Sequence, residues 1–522
     1  MSMTVTPGTP LRVVTGRHGI PRWAFELLTR LREEDIELHR LQLDSPRHTA
    51  ADNRWHALVT KLDSKLFPGA DTASATVDDG SGLAGLFAVT QAVDSSTPIE
   101  STAGGFVLSL DSTADHHVAK RLDVPVLSLQ PNADGDWRST PVGFWECLDS
   151  QPMVGLRVIA TDATGTAKPV MQATECTDPV SVGRTRNAAL WAGAELLHRA
   201  LTQTTGVERT EPDFTNIPSN STGPASAWSA LVRAPWHFAK GVIRKMARRK
   251  SLRQWILIWR AGDEDATNIG FSAWRRLLPP RDVFWADPFV VERDGQRHVF
   301  IEEATFTPRR GHLAVMTLDD SGQSSPPVTI LKKPYHLSYP NVFEHDGEWY
   351  MMPESGEDKS LQIYRSTAWP HEWTWTHNAL SGLAVYDGTL VFHNAKWWLF
   401  ATVQQFEGSS PNVFLHLWHA DSPLGPWTPH RANPVCTDVR SARPGGNFFE
   451  RDGVLYRPSQ NCSRHYGYGL QINRVEQLDE TAYRETQVAS YTPWASDIDA
   501  VHTLNRTDTL QLADAVYWRP PG

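Results

Sequence analysis

Polar residues that could do chemistry open four similar stretches in the second half of the chain. They are Asp287 in "WADPF", Tyr339 in "SYPNVF", Asp387 in "VYDGTL" and Arg443 in "ARPGGNF". A carboxylate can move a proton, and an arginine binds carboxylates or phosphates through paired hydrogen bonds. Because a lone buried carboxylate is costly, a shared site explains the recurrence of polar residues well. In the alternative interpretation, these residues cap turns and tie neighbouring repeats together.

The four stretches are copies of one unit that has a polar start, an apolar strand, a tight turn and an aromatic strand. The copies span residues 287–303, 339–355, 386–402 and 443–461, and a weaker fifth copy spans 499–518. Turns such as "RDG" and "HDG" between alternating apolar runs are strong signals for β-hairpins. The spacing of about 45 to 60 residues is typical of propeller blades. The repeats therefore predict a five-bladed β-propeller.

We place the propeller at residues 254–522 and expect residues 254–260 to supply a strand that closes the ring. The innermost strand of each blade follows the central channel, so equivalent residues of all blades converge on one funnel. Asp287, Tyr339, Asp387 and Arg443 are therefore expected to meet near the axis, although they are far apart in sequence.

The first 205 residues have a different pattern, in which apolar strands alternate with helices. Strands are predicted at residues 11–16, 105–110 and 124–131, and an amphipathic helix is predicted at residues 181–203. Such alternation favours an α/β domain with a parallel sheet. The expected fold class is therefore an α/β N-terminal domain followed by an all-β propeller.

Residues 206–253 connect the two domains. Their first part is rich in Pro, Ser, Thr and Asn and reads as a linker. Their second part, residues 233–253, interleaves eight basic residues with apolar ones. A basic amphipathic helix can rest on an anionic membrane surface, so a peripheral membrane contact is one hypothesis. A connector helix with a solvated basic face is the other.

Composition excludes several classes of protein. The net charge of −9 gives no general attraction to nucleic acid. The four cysteines match no metal-binding spacing and are too few for a disulfide framework, and we expect neither metal nor cofactor. No signal peptide or long apolar run is apparent, so a cytoplasmic location is expected. The 21 tryptophans fit sugar binding, where a ring stacks on a pyranose, but they also fit the filling of large β cores.

Several long motifs carry a resemblance to a known family. They include "WADPF", "YHLSYPNVFEHDGEWYMMPES", "LQIYRSTAWPHEWTW", "HADSPLGPWTPHRANPV" and "ARPGGNFFERDGVLYRPSQNC". From about residue 254 onward, the sequence resembles the propeller domain at the N-terminus of plant glucosamine inositolphosphorylceramide transferases. More distantly, it is similar to the five-bladed propellers of family-43 glycoside hydrolases.

The hydrolase resemblance implies roles for three carboxyl groups. Family-43 enzymes use an Asp base in the first blade, a second Asp that tunes pKa values and a Glu acid in a later blade. Asp287 matches the base and Asp387 matches the tuning residue, whereas Arg443 stands where the acid is expected. Glu302 and Glu354 remain as carboxyl groups near strand ends, and either is a candidate for the funnel.

Basic and polar residues near the same strand ends suggest a different ligand. Arg443, Arg457, His336, His465 and His502 could bind a phosphate or a carboxylate, groups that nucleotide-sugars and phospholipid-linked sugars contain. Ser338, Tyr339 and Gln460 complete the predicted substrate-binding set. Asp287 or Glu354 would then deprotonate an acceptor hydroxyl.

The N-terminal region resembles a formyltransferase-type α/β domain, as in methionyl-tRNA formyltransferases. The resemblance lies in "VLSL", "TPVGFWECLDSQPMVGLRVIATDATGTAKPVMQATECTD" and "GRTRNAALW". That family uses an Asn, a His and an Asp, but the segment "LSLQPNADGDW" contains no His, and Asn132, Asp134 and Asp136 do not restore the pattern. The resemblance therefore favours a repurposed domain.

The leading hypothesis is a carbohydrate-active protein of glycan or glycolipid biosynthesis, which transfers a sugar from an activated donor to an acceptor hydroxyl. A glycoside hydrolase with an altered acid is the first alternative. A non-catalytic glycan-binding module is the second, and a working formyltransferase is the third.

Overall fold

The structure is a computed structural model that describes residues 10–16, 19–43, 54–69, 71–78, 82–93, 106–110, 115–131, 142–202, 212, 251–263 and 265–520. The chain forms two compact units, which consist mainly of the residues before and after about position 245. Asn132, Asp134, Asp136 and most of the basic segment 233–253 lie outside the described residues, so the hypotheses about them stay predictions. No helix among the described ranges is long and apolar enough to cross a membrane.

The N-terminal unit is an α/β domain built on a seven-stranded sheet. Its strands are β1 (Leu11–Thr15), β2 (Ile20–Pro21), β3 (Leu38–Leu43), β4 (Thr76–Val77), β5 (Val89–Val93), β6 (Val107–Ser109), β7 (Val126–Pro131), β8 (Met153–Thr161) and β9 (Ala167–Cys176). Its helices are α1 (Arg22–Glu33), α2 (Arg54–Leu66), α3 (Asp115–Leu122), α4 (Phe144–Leu148) and α5 (Val182–Thr202), with a 3₁₀ turn at Ala84–Leu86.

The sheet of this unit is mixed rather than wholly parallel. Its order is β5-β3-β1-β6-β7-β8-β9. The first five strands in this order, from β5 to β7, run parallel, as the sequence predicts. Strands β7, β8 and β9 pair antiparallel with one another. A parallel connection requires a crossover of a dozen or more residues, and only five residues separate β8 from β9. The short connection therefore forces a hairpin at this edge.

Helix α5 confirms the predicted amphipathic helix and packs on the sheet. Its apolar side chains, including Leu196 and Leu197, are buried. Asp63 accepts hydrogen bonds from the backbone N–H groups of Val182 and Gly183 at 3.1 and 2.8 Å. A carboxylate at this position satisfies free donors and complements the positive end of the helix dipole. The N-terminus of α5 is thereby fixed.

The second unit is a five-bladed β-propeller made of five four-stranded sheets. Its strands are β10 (Leu252–Ala261), β11 (Arg275–Leu277), β12 (Val283–Arg293), β13 (Gln296–Thr305), β14 (Gly311–Thr317), β15 (Val328–Leu331), β16 (Ser338–His345), β17 (Glu348–Glu354), β18 (Ser360–Ala368), β19 (Glu372–Ser381), β20 (Ala384–His393), β21 (Lys396–Gln404), β22 (Leu415–Ala420), β23 (Thr428–Pro429), β24 (Phe449–Arg451), β25 (Val454–Asn461), β26 (Gly469–Leu478), β27 (Tyr483–Tyr491), β28 (Ile498–Arg506) and β29 (Leu510–Arg519). Short 3₁₀ turns lie at Phe271–Ala273 and Gly356–Asp358.

The fifth blade closes the ring by combining both ends of the unit. Its order is β11-β10-β29-β28. Strand β10 pairs antiparallel with β29 along its whole length, from Leu252 opposite Arg519 to Ala261 opposite Leu510. The prediction that residues 254–260 close the ring is therefore confirmed, and the strand begins at Leu252, two residues earlier than expected.

Aromatic side chains fill the spaces between blades. Trp259, Trp285 and Trp398 are almost fully buried, and the cluster around Phe289 and Phe300 joins the first two blades. Burying a large apolar side chain stabilises a fold by about 1.5–3 kcal/mol. These tryptophans therefore serve the core, which was one of the two interpretations of their abundance.

Candidate active site in the propeller funnel

Three predicted site residues share an unusual backbone conformation at equivalent places. Asp287, Tyr339 and Asp387 have φ angles of +50°, +46° and +52°. Each lies at a bulge between the first and second strands of its blade. The left-handed region is uncommon for residues other than glycine, and such strained conformations concentrate at functional sites. Strand β12 contacts both β16 and β28, and β16 contacts β20, so these bulges adjoin one another around the axis.

Arg443 comes from the fourth blade and binds the carboxyl groups of two others. Its Nε donates to Asp387 Oδ2 at 2.6 Å, and its Nη2 lies 3.3 Å from Glu354 Oε2. Its Nη1 donates to Asn412 Oδ1 at 3.0 Å. Gln460 Nε2 adds a further donor to Asp387 Oδ2 at 2.6 Å. All three guanidinium nitrogens thus donate to protein acceptors, and an added phosphate would have to compete with these acceptors for Arg443.

A second group of charged residues surrounds His502. The Nδ1 of His502 lies 2.6 Å from Asp514 Oδ1. Since a carboxylate can only accept, Nδ1 is the donor, and Nε2 faces Asp287 Oδ1 at 3.5 Å. Trp255 stacks on the imidazole with ring centroids 4.2 Å apart. The ring is therefore held in one orientation toward Asp287.

Asp514 is fixed by backbone donors, whereas Asp287 keeps a free oxygen atom. Asp514 accepts the N–H groups of Asp287 at 2.8 Å and of Thr503 at 3.0 Å. Among the described residues, Asp287 Oδ1 has no hydrogen-bond partner although the side chain is buried. The N–H group that faces it, His502 Nε2, is 3.5 Å away, which is too distant for a strong hydrogen bond, and a buried carboxylate oxygen without a close donor is costly. Asp287 Oδ1 is accordingly the atom of the cluster best placed to accept a proton or a ligand hydroxyl.

Burial and neighbouring charges raise the pKa values of both groups, which favours the neutral form of Asp287 and the protonated form of His502. Burial, together with the charges of Asp387 and Asp514, raises the pKa of Asp287 to about 7, although the charge of His502 opposes this change. Burial alone would lower the pKa of His502, but the carboxylates of Asp514 and Asp287 raise it above its ordinary value. A base that titrates near neutral pH is suited to proton abstraction.

The pKa values of two glutamic acids next to this pair are shifted toward the neutral form. Burial raises the pKa of Glu302 well above its ordinary range, and the charge of Asp287 adds to this effect. Burial and the charge of Asp387 raise the pKa of Glu354 in the same direction, while Arg443 opposes the change. Neutral carboxylic acids can donate a proton at pH 7. Either residue could therefore supply the acid that the sequence does not show at position 443.

His336 contacts Glu302 at the edge of the cluster. Its Nδ1 accepts the backbone N–H of Gly311 at 2.9 Å, so its proton lies on Nε2, which is 3.5 Å from Glu302 Oε1. A Cβ at position 311 would come within 2.5 Å of that oxygen. Glycine is therefore required at position 311 for Glu302 and His336 to keep this arrangement.

The remaining predicted substrate-binding residues lie in different settings. The hydroxyl of Tyr339 accepts the N–H of Gly446 at 2.7 Å and is 2.8 Å from Thr389 Oγ1, so it links blades. Ser338 is buried opposite Glu354 in the strand register. Arg457 is buried within the fourth blade, where its Nε and Nη2 donate to Glu485 at 2.8 and 2.6 Å. The structure does not bring Arg457 to the carboxyl cluster.

We define the carboxyl cluster as Asp287, Glu302, Glu354, Asp387 and Asp514 with the cations Arg443 and His502. Sequence analysis identified all of them except Asp514. The available signal was weak, because Asp514 is a single acidic residue inside the apolar strand "LQLADAVYW". Such a residue is recognisable as unusual only when its burial is known.

One subset of the cluster has the spacing of a cation site. Asp287, His502 and Asp514 each offer one ligand atom, and these atoms lie within 4.8 Å of one another. Hydrogen bonds from His502 and from backbone donors already satisfy Asp514, without any ion. The expectation that the protein uses no metal stays a prediction.

The raised pKa of Asp287 predicts how stability depends on pH. The folded protein retains a proton on Asp287 up to about pH 7, whereas the ordinary pKa of an aspartate side chain is 3.8. Because the unfolded chain binds fewer protons in this window, the contribution of Asp287 to stability falls as pH rises from about 4 to 7. Asp287→Asn cannot titrate, so between pH 5 and pH 8 its free energy of unfolding should gain at least about 1 kcal/mol relative to wild type. Chemical unfolding at both pH values measures the difference, and parallel pH profiles would contradict it.

Comparison with known proteins agrees with the sequence motifs. Residues 279–506 match a family model described as the N-terminal domain of glucosamine inositolphosphorylceramide transferase 1. The predicted resemblance is confirmed. The chain is 38% identical over 208 residues to glucosamine inositolphosphorylceramide transferase 1 of Oryza sativa subsp. japonica. It is 36% identical over 208 residues to the protein of the same name from Arabidopsis thaliana.

The similarity to these transferases is restricted to one part of each protein. The match covers 39% of this chain and 28% of the rice protein, or 27% of the Arabidopsis protein. Among solved structures, a family 117 glycoside hydrolase of Zobellia galactanivorans is 11% identical with a TM-score of 0.34, covering 52% of this chain and 91% of its own. A β-1,2-mannobiose phosphorylase of Listeria innocua is 9% identical with a TM-score of 0.34, covering 46% and 92%.

Proposed function

We propose that the propeller is a carbohydrate-active domain of glycan or glycolipid biosynthesis, which transfers a sugar from an activated donor to an acceptor hydroxyl. The observation that supports this most is Asp287, a buried carboxyl group with one unpartnered oxygen and a pKa near 7. The relatives of the propeller are named as transferases of glucosamine inositolphosphorylceramide, which agrees with a role in glycolipid synthesis.

In the proposed reaction, Asp287 acts as the general base. Its Oδ1 takes the proton of the acceptor hydroxyl while the oxygen of that hydroxyl attacks the anomeric carbon of the donor sugar. The bond from the anomeric carbon to the leaving group breaks, and the leaving group departs with the electron pair. Glu302 or Glu354, whose neutral form burial favours, donates a proton to the leaving group. His502 orients the carboxyl group of Asp287 because it contacts both Asp287 and Asp514.

The charges of the cluster suggest which part of the donor it would bind. Five carboxyl groups surround two cationic groups, and Arg443 already donates to Asp387, Glu354 and Asn412. A phosphate in the cluster would have to compete with these acceptors for Arg443. The sugar and the acceptor hydroxyl therefore belong beside Asp287, and the leaving phosphate of an activated donor belongs beside Glu302 or Glu354, which would donate the proton to it.

A glycoside hydrolase is the second candidate because the cluster also contains an acid and base pair. Hydrolysis requires one neutral and one ionised carboxyl group on either side of the glycosidic bond. Burial raises the pKa of Glu302 well above its ordinary value, and the charge of Asp287 raises it as well, so Glu302 is the candidate for the neutral group. Release of sugar from aryl glycosides would favour this candidate over a transferase.

A binding screen separates these functions. The purified chain is tested by thermal shift with nucleotide-sugars, glucosamine-containing glycosides, free oligosaccharides and folates. A ligand present at 100 times its Kd should stabilise the native state by about 2.7 kcal/mol. A shift with a nucleotide-sugar and transfer to an acceptor support the proposal. A shift with free oligosaccharides and no turnover favours a binding module, and a shift with folates favours a formyltransferase.

The cytoplasmic location and the peripheral membrane contact through residues 233–253 remain proposals. Binding of the full chain to vesicles containing anionic lipid, compared with neutral vesicles, tests the contact.

A further inference from the structure

An exposed aromatic side chain lies against the buried cluster. Tyr466 is 39% exposed and belongs to the loop between β25 and β26. The centroid of its ring is 4.8 Å from Arg443 Cζ and 5.3 Å from the ring of His502, with the two ring planes perpendicular. Tyr466 therefore contacts both halves of the carboxyl cluster while part of its surface faces solvent.

The loop that contains Tyr466 is held in place by the neighbouring blade. The backbone N–H of Val501 donates to the carbonyl of Gly467 at 3.1 Å. Gly467 has a φ of +66°, and a Cβ at this position would come within 3.0 Å of His502 and 3.1 Å of Trp255. Position 467 thus requires glycine for conformation and for space. The ring of Tyr466 is consequently positioned before any ligand binds, which lowers the entropic cost of binding.

The surroundings of Tyr466 favour an apolar contact with a polar ligand. The face of an aromatic ring carries partial negative charge, which attracts the C–H groups of a sugar as well as a cation. Arg443 already makes a cation–π contact with the ring. Beside the ring lie carboxyl groups that can accept hydrogen bonds from hydroxyl groups. An amphipathic ring with C–H groups on one face and hydroxyl groups at its edge matches this combination.

We propose that Tyr466 is the platform on which a pyranose ring stacks, and that it directs the hydroxyl groups of the sugar toward Asp287. This inference rests on the proposed function and assigns the substrate class of the site, which is a pyranoside with an open C–H face. Tyr466 therefore selects for the shape of the sugar, while the carboxyl cluster accepts and donates the protons of the reaction.

A different role for Tyr466 would be to shield the Arg443–Asp387 ion pair from water. The two roles predict different results. Loss of a shield would lower stability with little effect on sugar binding. Loss of a platform would weaken sugar binding, and a phenylalanine would replace the tyrosine because stacking does not require the hydroxyl.

The test is saturation-transfer NMR and titration of the full chain with methyl glucosaminide and methyl glucoside. Wild type, Tyr466→Phe, Tyr466→Ala and the control Phe392→Ala are compared; Phe392 is 57% exposed and lies on β20 near the hairpin turn. Tyr466→Ala should weaken binding about tenfold or more, whereas Tyr466→Phe should stay within about twofold of wild type. Saturation of aromatic protons should reach the ring C–H protons of the sugar in wild type and not in Tyr466→Ala.

Each other outcome has a defined meaning. If wild type binds a glycoside and Tyr466→Ala binds it equally well, the platform is wrong while the proposed function stands. If Tyr466→Phe and Tyr466→Ala weaken binding equally, the hydroxyl makes the contact and stacking is wrong. If wild type binds neither glycoside and no sugar of the thermal-shift screen, the proposed function is wrong and the platform with it.

Discussion

Arg443→Met is expected to lower the free energy of unfolding of the propeller by about 3–5 kcal/mol. The substitution keeps an unbranched side chain of similar length but leaves the carboxylate of Asp387 buried without its cation. The Nε of Arg443 lies 2.6 Å from Asp387 Oδ2, and both side chains are almost inaccessible to solvent. Breaking such a pair from one side is costly because the remaining charge stays buried. Denaturant unfolding followed by tryptophan fluorescence measures the loss.

Two variants control this prediction. Arg451 forms an ion pair with Asp265 at 3.0 Å, but both side chains are nearly half exposed, so Arg451→Met should change stability by no more than about 1 kcal/mol. Adding Asp387→Asn to Arg443→Met removes the stranded charge and should recover part of the loss. Equal unfolding midpoints for Arg443→Met and Arg451→Met would show that the buried network does not stabilise the fold.

Asp287→Asn should lower the rate of sugar transfer by about 10²–10⁴-fold, because an amide cannot accept the proton of the acceptor hydroxyl. The substitution keeps the size of the side chain, and asparagine tolerates the φ of +50° at this position. The fold should therefore persist, and the loss should appear in the rate of turnover more than in the affinity for the sugar. Initial rates with the nucleotide-sugar found in the binding screen measure the effect.

The same blade offers a matched control for Asp287→Asn. Asp294 also has a positive φ, +53°, but lies in the hairpin turn with its side chain 86% exposed. Asp294→Asn should leave the rate within about twofold, because surface substitutions of this kind have small effects. If both variants retain the activity of wild type, Asp287 is not the base, and the chemistry must be sought at Glu302 or Glu354.

The blades were predictable because their turns have strict conformational requirements. Asp294, Asp346 and Asp452 all have φ near +53°, and the glycine after each has a positive φ as well. A two-residue hairpin turn with positive φ at both positions favours Asp-Gly or Asn-Gly, so the turn chemistry is visible in the sequence. The third blade uses Asn394 and Ala395 instead, and its unit was recognised by the surrounding pattern.

The contacts within the site were less predictable because they depend on packing between blades. Equivalent positions in the repeats indicated that Asp287 and Asp387 converge. They did not indicate that Arg443 would bind Asp387, which is 56 residues away. They also did not indicate that Arg457 would form an ion pair with Glu485 in its own blade. Two arginines of similar appearance in sequence thus have different surroundings, and burial by neighbouring strands decides between them.

In the N-terminal unit, the clearest patterns of apolar residues correctly predicted a strand and a helix. Strand β1 and helix α5 appear where the sequence places them. The hairpin of β8 and β9 was missed because its residues alternate less clearly and its antiparallel pairing is set by a short connection. Nothing in this fold tests the formyltransferase resemblance, which remains a prediction.

Because the fifth blade uses both ends of the unit, the carboxyl cluster can form only after the last strands of the chain have been synthesised. Strand β10 cannot pair until β29 has been synthesised, and β29 lies more than 240 residues later in the chain. Bringing such distant segments together is slow, because loop entropy is lost before contacts form. His502 and Asp514 arrive with the last two strands, so the surroundings of Asp287 cannot exist in a nascent chain that has completed only its first four blades. Ring closure is therefore required to assemble the carboxyl cluster, and a propeller that lacks the last two strands also lacks His502 and Asp514.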